Sequence, residues 1–207
     1  MVSIYSISNY LAKGLASKIT NNKYDSVEDQ IEVLTYGFMV YVGMFIKITL
    51  LVLLAWILGV LASSLALMIT FSSLRIIGGG YHFTTFGKCM IVSLFIFIGS
   101  AFTAQYTYQY WSSTNIWYLI TFCIISMIYI IFRYVPRDSP NNIIDDKQTI
   151  LKFKKLTVYY LIIWSISMSI FLLLNVKIIV IASCFGLLLE IFTISTLGYN
   201  FYARLDK

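Results

Sequence analysis

From Ile31 to Ile77 the chain is almost unbroken apolar sequence, with Lys47 and Arg75 as its main interruptions. A helix rises 1.5 Å per residue, so a run of this length overshoots a single crossing of a ~30 Å hydrocarbon core. The run must therefore turn, and Gly59 to Ser64 (GVLASS) is its most turn-like stretch. That split predicts one membrane helix over 33–58 and a shorter one over 62–77, either spanning or partly re-entrant. Apolar runs recur at 89–106, 116–133, 156–174 and 178–196, which makes six crossings. Of 207 residues, 59% are hydrophobic and only 12% charged, against about half and about a quarter in a soluble domain. The chain therefore meets lipid over most of its surface. Residues 1–207 read as a single all-α, polytopic membrane domain.

Segment 1–22 differs from the rest. Ile4, Ile7, Leu11, Leu15 and Ile19 recur at three- and four-residue spacing and form one apolar helical stripe. Lys13 and Lys18 break any apolar core, so a secretory signal is not expected. An amphipathic helix lying in the membrane interface fits better. Asn21 and Asn22 suit a turn, and Asp25 with Glu28, or Ser26 with Asp29, has capping-box spacing for the next helix.

Charge gives the orientation. With six crossings, Lys13, Lys18, Lys23, Arg75, Lys88, Arg133, Arg137, Lys147, Lys152, Lys154, Lys155, Arg204 and Lys207 fall on one side, and Lys177 alone on the other. Residues 105–118 (QYTYQYWSSTNIWY) carry no charge and many aromatics, as an outer interfacial belt should. The positive-inside rule then puts both ends of the chain and the segment 75–89 at the cytoplasmic face. The net charge of +6 follows from this topology, so no nucleic-acid partner is implied. Residues 134–155, with Pro136 and Pro140, read as a basic cytoplasmic loop.

Cys123 and Cys184 lie inside apolar runs and read as small buried hydrophobes. Three widely spaced cysteines imply no disulfide framework, and a single histidine excludes a multi-histidine zinc site. No metal or cofactor is expected.

The chemistry concentrates in RIIGGGYHFTTFGKC, Arg75 to Cys89. It holds the only histidine, His82, seven residues before Cys89. A thiolate is the nucleophilic form of cysteine, and an imidazole, a cation and a helix N-terminus each favour it. His82, the adjacent Lys88 and the start of an apolar helix at Cys89 offer all three. Catalysis needs the two side chains within hydrogen-bond reach, which the spacing permits. Gly78, Gly79 and Gly80 either support a substrate oxyanion through backbone N–H groups or simply stop a helix at the membrane face. Arg75 either binds a carboxylate in bidentate fashion or anchors the helix end.

Arg75, then GGxH, then Cys89 at the cytoplasmic end of a polytopic chain of about this size, resembles the accessory gene regulator B (AgrB) family. These are membrane cysteine endopeptidases that mature quorum-sensing peptides in Gram-positive bacteria. The resemblance extends over essentially the whole chain, including the amphipathic start and the basic loop before the last two apolar runs. It implies that Cys89 is the nucleophile and His82 its general base, and that Arg75 and Gly80 are needed for activity. No third residue orienting His82 is identifiable in the sequence. The implied partner is an AgrD-like propeptide with an amphipathic leader, an internal Cys or Ser and an acidic tail. The implied assembly is a homodimer in the cell membrane.

On that basis Cys89 attacks the carbonyl preceding the tail, and the propeptide's own Cys displaces it to close a thiolactone. Lys152, Lys154 and Lys155, with Arg75, are expected to recognise the acidic tail, although positive-inside bias explains the same cations equally well. The alternative function is a small transporter or channel subunit using Lys47 and Glu190 at the membrane midplane. Glu190 reads equally well as an intramembrane functional carboxylate or as a residue that snorkels to the interface or pairs with Lys47.

Overall fold

The computed structural model describes residues 4–16, 27–81, 83–137 and 146–206. The Asn21–Asn22 turn, the capping residues Asp25 and Ser26, Pro140 and His82 lie outside the described residues. Those described form eight α-helices and one 3₁₀ turn, with no strand among them. They are α1 (Ile4–Ala16), α2 (Val27–Ile57), α3 (Leu61–Gly78), α4 (Phe86–Thr107), α5 (Ser113–Arg133), α6 (Lys147–Leu173), α7 (Lys177–Ile194) and α8 (Thr196–Leu205); the 3₁₀ turn is Tyr108–Tyr110. The six from α2 to α7 are long and apolar enough to cross a membrane, and the protein is a multi-pass membrane protein. Two compact units result, Met1–Leu51 and Val52–Lys207, with the boundary inside α2.

In the first unit, α1 exposes Tyr5, Ile7, Tyr10 and Leu11, the kind of surface an interfacial helix offers to lipid. The first turn of α2 carries Glu28 and Asp29, where the helix dipole favours acids.

In the second unit, α7 is the hub. It packs against α3, α4, α5, α6 and α8. Its sequence explains why: apolar on every side and rich in small residues, it buries Val180, Ile181, Ala182, Ser183 and Cys184 in succession. Small residues let membrane helices approach closely where no hydrophobic effect drives them together. At Gly186 the approach is backbone to backbone, since a Cβ there would stand 2.5 Å from the Leu67 carbonyl oxygen. Cys123 and Cys184 are fully buried, with the Cys123 thiol 3.8 Å from the Cys184 carbonyl, in keeping with the small-hydrophobe reading.

The break before α3 falls at Leu58–Val60, with Gly59 at φ 69°, overlapping only the start of the expected turn, whose residues 61–64 are already helical. α3 is then one unbroken helix of 18 residues, about 27 Å long, enough to span without a re-entrant break.

α2 and α4 begin earlier than the apolar runs marked, at Val27 and Phe86, and larger differences from the sequence reading lie at α6 and α8. α6 starts at Lys147, not near 156, so residues 147–155 of the expected loop are its first turns. Asp146 caps it, its carboxylate accepting the N–H groups of Gln148 (3.1 Å) and Thr149 (3.0 Å). Lys147, Lys152, Lys154 and Lys155 lower hydropathy without opposing helix, so hydropathy marked the membrane and missed the helix start. α8, which the sequence reading did not separate, follows α7 after Ser195, whose hydroxyl accepts the Gly198 N–H at 3.1 Å.

Candidate functional site

The end of α3, the start of α4, the ends of α5 and α7 and the helix α8 converge. Three glycines make the convergence possible. A Cβ on Gly78 would sit 2.9 Å from Ile194 Cδ1, so α3 ends hard against α7. Gly79 turns the chain at φ 76°, and a Cβ there would be 2.4 Å from the Arg137 carbonyl oxygen. The Gly79 N–H donates to the Arg75 carbonyl (3.2 Å) and the Arg137 N–H to the Gly78 carbonyl (2.9 Å), tying the segment after α5 to this turn. Gly80, at φ 129°, leaves the space that the Arg75 guanidinium fills. Side chains rarely adopt these backbone angles, and none would fit the space.

Arg75 uses that space to bind the protein itself. Nη1 donates to the Gly79 carbonyl and to Thr193 Oγ1, each at 3.1 Å, and Nη2 donates to the Tyr81 carbonyl. Nη1 also lies 3.9 Å from Glu190 Oε2, a fully buried carboxylate oxygen that accepts the Thr193 hydroxyl at 2.8 Å. Arg75 thus faces an internal carboxylate through a single nitrogen, an arrangement different from the bidentate binding of a substrate carboxylate that the sequence suggested. Glu190 stands about one turn from the end of α7 at Ile194, on the Arg75 side.

From Tyr81 onward the chain is gathered by Asp206, the residue that closes α8. Its carboxylate accepts the Tyr81 hydroxyl (2.8 Å), the Thr84 N–H (2.8 Å) and the Thr84 hydroxyl (2.9 Å). Lys88 Nζ lies 3.6 Å from Asp206 Oδ1 and donates to the Asp206 carbonyl oxygen. The Tyr81 and Phe83 rings pack edge-on against Tyr199 and Tyr202 of α8, with centroids 5.1 and 5.6 Å apart respectively. Arg137 lies over the Tyr199 ring at 4.6 Å. Burial pushes the Asp206 carboxyl up, but the hydrogen bonds from Thr84 and Tyr81 and the Lys88 charge outweigh it, leaving the group below its ordinary range. The Tyr81 phenol is pushed up to about 12, first by burial and then by its hydrogen bond to Asp206 and the neighbouring charges.

Cys89 stands in the first turn of α4, its N–H donating to the Thr85 carbonyl at 3.2 Å. It is half-buried and not part of a disulfide. Its expected partner, His82, lies outside the described residues. Phe86, one turn earlier, is exposed. Lys152, Lys154 and Lys155 ride on the first turns of α6. Lys154 Nζ donates to the Phe132 carbonyl (3.2 Å), while Lys152 and Lys155 border a shallow groove with Leu151, Leu156 and Tyr159. Among the described residues no group of three or more His, Cys, Asp or Glu could hold a metal ion.

Sequence reasoning marked Arg75, the glycines and Glu190 as unusual, but missed Thr193, Arg137 and Asp206. Arg75, the triple glycine and Glu190 each carried a local signal, the last as a carboxylate within an apolar run. The other three act across long sequence separations.

Comparison with known proteins gives one match: the family model of accessory gene regulator B covers residues 6–194, ending where α7 ends and before α8. No curated protein and no solved structure matches the chain.

Proposed function

The chain belongs to the accessory gene regulator B family, and on that premise we propose that it is a membrane cysteine endopeptidase that trims and cyclises an AgrD-like propeptide. Family membership carries a role in quorum-sensing peptide processing; the catalytic assignment is the further step. One observation supports it above the others. Cys89 lies in the first turn of α4 beside a segment that Arg75 of α3 and Asp206, closing α8, hold by polar contacts, at the end of the bundle where the basic residues collect.

In this reading the site faces the cytoplasm of a Gram-positive cell, where a newly made propeptide arrives with its leader on the inner leaflet. The Cys89 thiolate attacks the carbonyl carbon before the acidic tail, with His82 having taken the thiol proton. His82 returns that proton to the departing amine, and the tail leaves with a thioester left on Cys89. The propeptide's own thiol then attacks the thioester. The thiolactone forms, Cys89 departs as thiolate, and His82 handles the proton again. One thioester replaces another, so the ring needs no external energy source. Tyr81 and Phe83, packed against α8, help exclude the water that would otherwise hydrolyse the intermediate.

Arg75 serves this site by shaping the glycine turn, since its guanidinium is already engaged by Gly79, Tyr81, Thr193 and Glu190. With the Gly79 N–H donating to Arg75, backbone support for an oxyanion falls to Gly80 and the residues after it. Tail recognition rests on Lys152, Lys154 and Lys155 of α6. The working unit is a homodimer, as the family resemblance implies.

The test is a thioester-trapped complex between the purified chain and a synthetic propeptide whose internal Cys is replaced by Ala. The complex should form with the otherwise unaltered chain and be absent with Cys89→Ala and with His82→Ala. Its persistence in Cys89→Ala would overturn the reading. Joint neutralisation of Lys152, Lys154 and Lys155 should weaken propeptide binding and flatten its salt dependence; unchanged affinity would remove the tail assignment.

A further inference from the structure

Asp206 holds the chain on both sides of one residue. Tyr81 precedes His82 by one position and Thr84 follows it by two, and the same carboxylate accepts hydrogen bonds from both. The third contact, Lys88, is the residue before Cys89. One carboxylate therefore ties together the chain before His82, the chain after it and the first turn of α4. Hydrogen bonds to an ionised acceptor are roughly twice as strong as neutral ones, and three donors converge here with an ammonium beside them. The Arg75 guanidinium pins the Tyr81 carbonyl while Asp206 pins its hydroxyl, so Tyr81 is fixed from two sides. Asp206 caps the end of α8, beyond the residues matched by the family model.

We propose that Asp206 is a positioning residue for the His82–Cys89 pair: through Tyr81, Thr84 and Lys88 it sets the path of the chain on both sides of His82 and into the first turn of α4. The inference rests on the peptidase reading and adds α8 to the working parts of the site. Asp206 touches neither substrate nor thiol in this role. It limits the conformations open to the segment 81–88, which would otherwise have to be ordered at each turnover.

The test uses the full-length chain in detergent or lipid and reads alkylation of Cys89 by iodoacetamide across pH. Cys123 and Cys184 are fully buried and do not compete. His82→Ala should change the profile, because the imidazole no longer assists the thiol. Asp206→Ala should move it in the same direction, with propeptide cleavage falling by about 10²-fold, the usual cost of misplacing reacting groups by an ångström. Asp206→Asn keeps an acceptor oxygen and should recover part of both. Tyr81→Phe removes a single hydroxyl and should give a smaller change of the same sign, which covers the case that Asp206→Ala fails to fold. A profile that moves with His82→Ala but not with Asp206→Asn, Asp206→Ala or Tyr81→Phe overturns the positioning role and leaves the peptidase standing. A profile indifferent to His82→Ala overturns the Cys–His pair and this inference together.

Discussion

The two ends of the second unit are closed by different means. At the Trp111 end the connections are short and nearly neutral. Leu58–Val60 joins α2 to α3, a 3₁₀ turn and the Ser112 cap join α4 to α5, and a turn at Asn175 joins α6 to α7. A single ammonium, Lys177 Nζ, donates to the Trp111 carbonyl at 3.1 Å. At the Arg75 end the connections are longer, two ion pairs form and glycines are pressed against backbone and guanidinium. The first end only has to reverse the chain. The second fixes a particular path between α3 and α4, and such detail is spent where geometry matters to chemistry.

The sharpest way to break this contrast is to remove the cation from each end. Arg75→Met leaves the buried Glu190 unpaired and should cost about 3–5 kcal/mol. Adding Glu190→Gln should recover part of it. Lys177→Met should cost roughly 1 kcal/mol, the size of one ordinary hydrogen bond. Thermal unfolding of the three variants in one detergent would check the order, and equal losses at the two ends would erase the distinction.

The glycines give a finer comparison. Gly59 and Gly79 share nearly the same backbone angle, φ 69° and φ 76°. A Cβ on Gly59 meets nothing within 4 Å, whereas on Gly79 it collides with a carbonyl oxygen. Gly59→Ala should cost about 1–2 kcal/mol for the left-handed conformation alone. Gly79→Ala adds overpacking and should cost roughly 2–4 kcal/mol in all, with activity lost besides. If the two substitutions proved equally mild, Gly79 would not be pressed against Arg137.

The smallest effect is the response to pH. Asp206 ionises more easily folded than unfolded, so its contribution is full above the ordinary carboxylate range and is lost as pH falls through its depressed value. Tyr81 is kept neutral, so its share is full below about pH 10 and is lost as pH rises towards about 12. Exchange protection of the Thr84 amide, corrected for intrinsic rates, should therefore hold through neutral pH and fall at both extremes. The Asn115 amide, bonded to the Ser112 hydroxyl, should show no such window at its own end.

The difference between the ends also explains what could be read from the sequence. Apolar runs announced all six spans, and the break at Gly59 fell where a glycine followed by small residues suggested it. Short connections leave local marks of this kind. Arg75 was visibly unusual, yet its sequence could not separate an anchor from a carboxylate binder, because the answer lay at Glu190 and Thr193. Asp206 left no mark. Its partners are Tyr81, Thr84 and Lys88, more than a hundred positions earlier, and a lone Asp after Leu205 has no periodicity to betray it. The start of α6 was missed for another reason, since lysines hid a helix from a hydropathy scale while Asp146 was capping it.

The contact of Gly186 with the Leu67 carbonyl has a consequence for how this chain can tolerate change. It works as a ruler. Counted from that contact, Arg75 lies eight residues along α3, and Glu190 and Thr193 lie four and seven along α7. One residue inserted between Gly186 and Glu190 would leave α7 apolar and long enough to span. It would also rotate everything beyond it by ~100°, carrying Glu190 and Thr193 away from the guanidinium. Substitutions along this stretch can therefore be absorbed by repacking, whereas a change in its length is read out at the glycine turn.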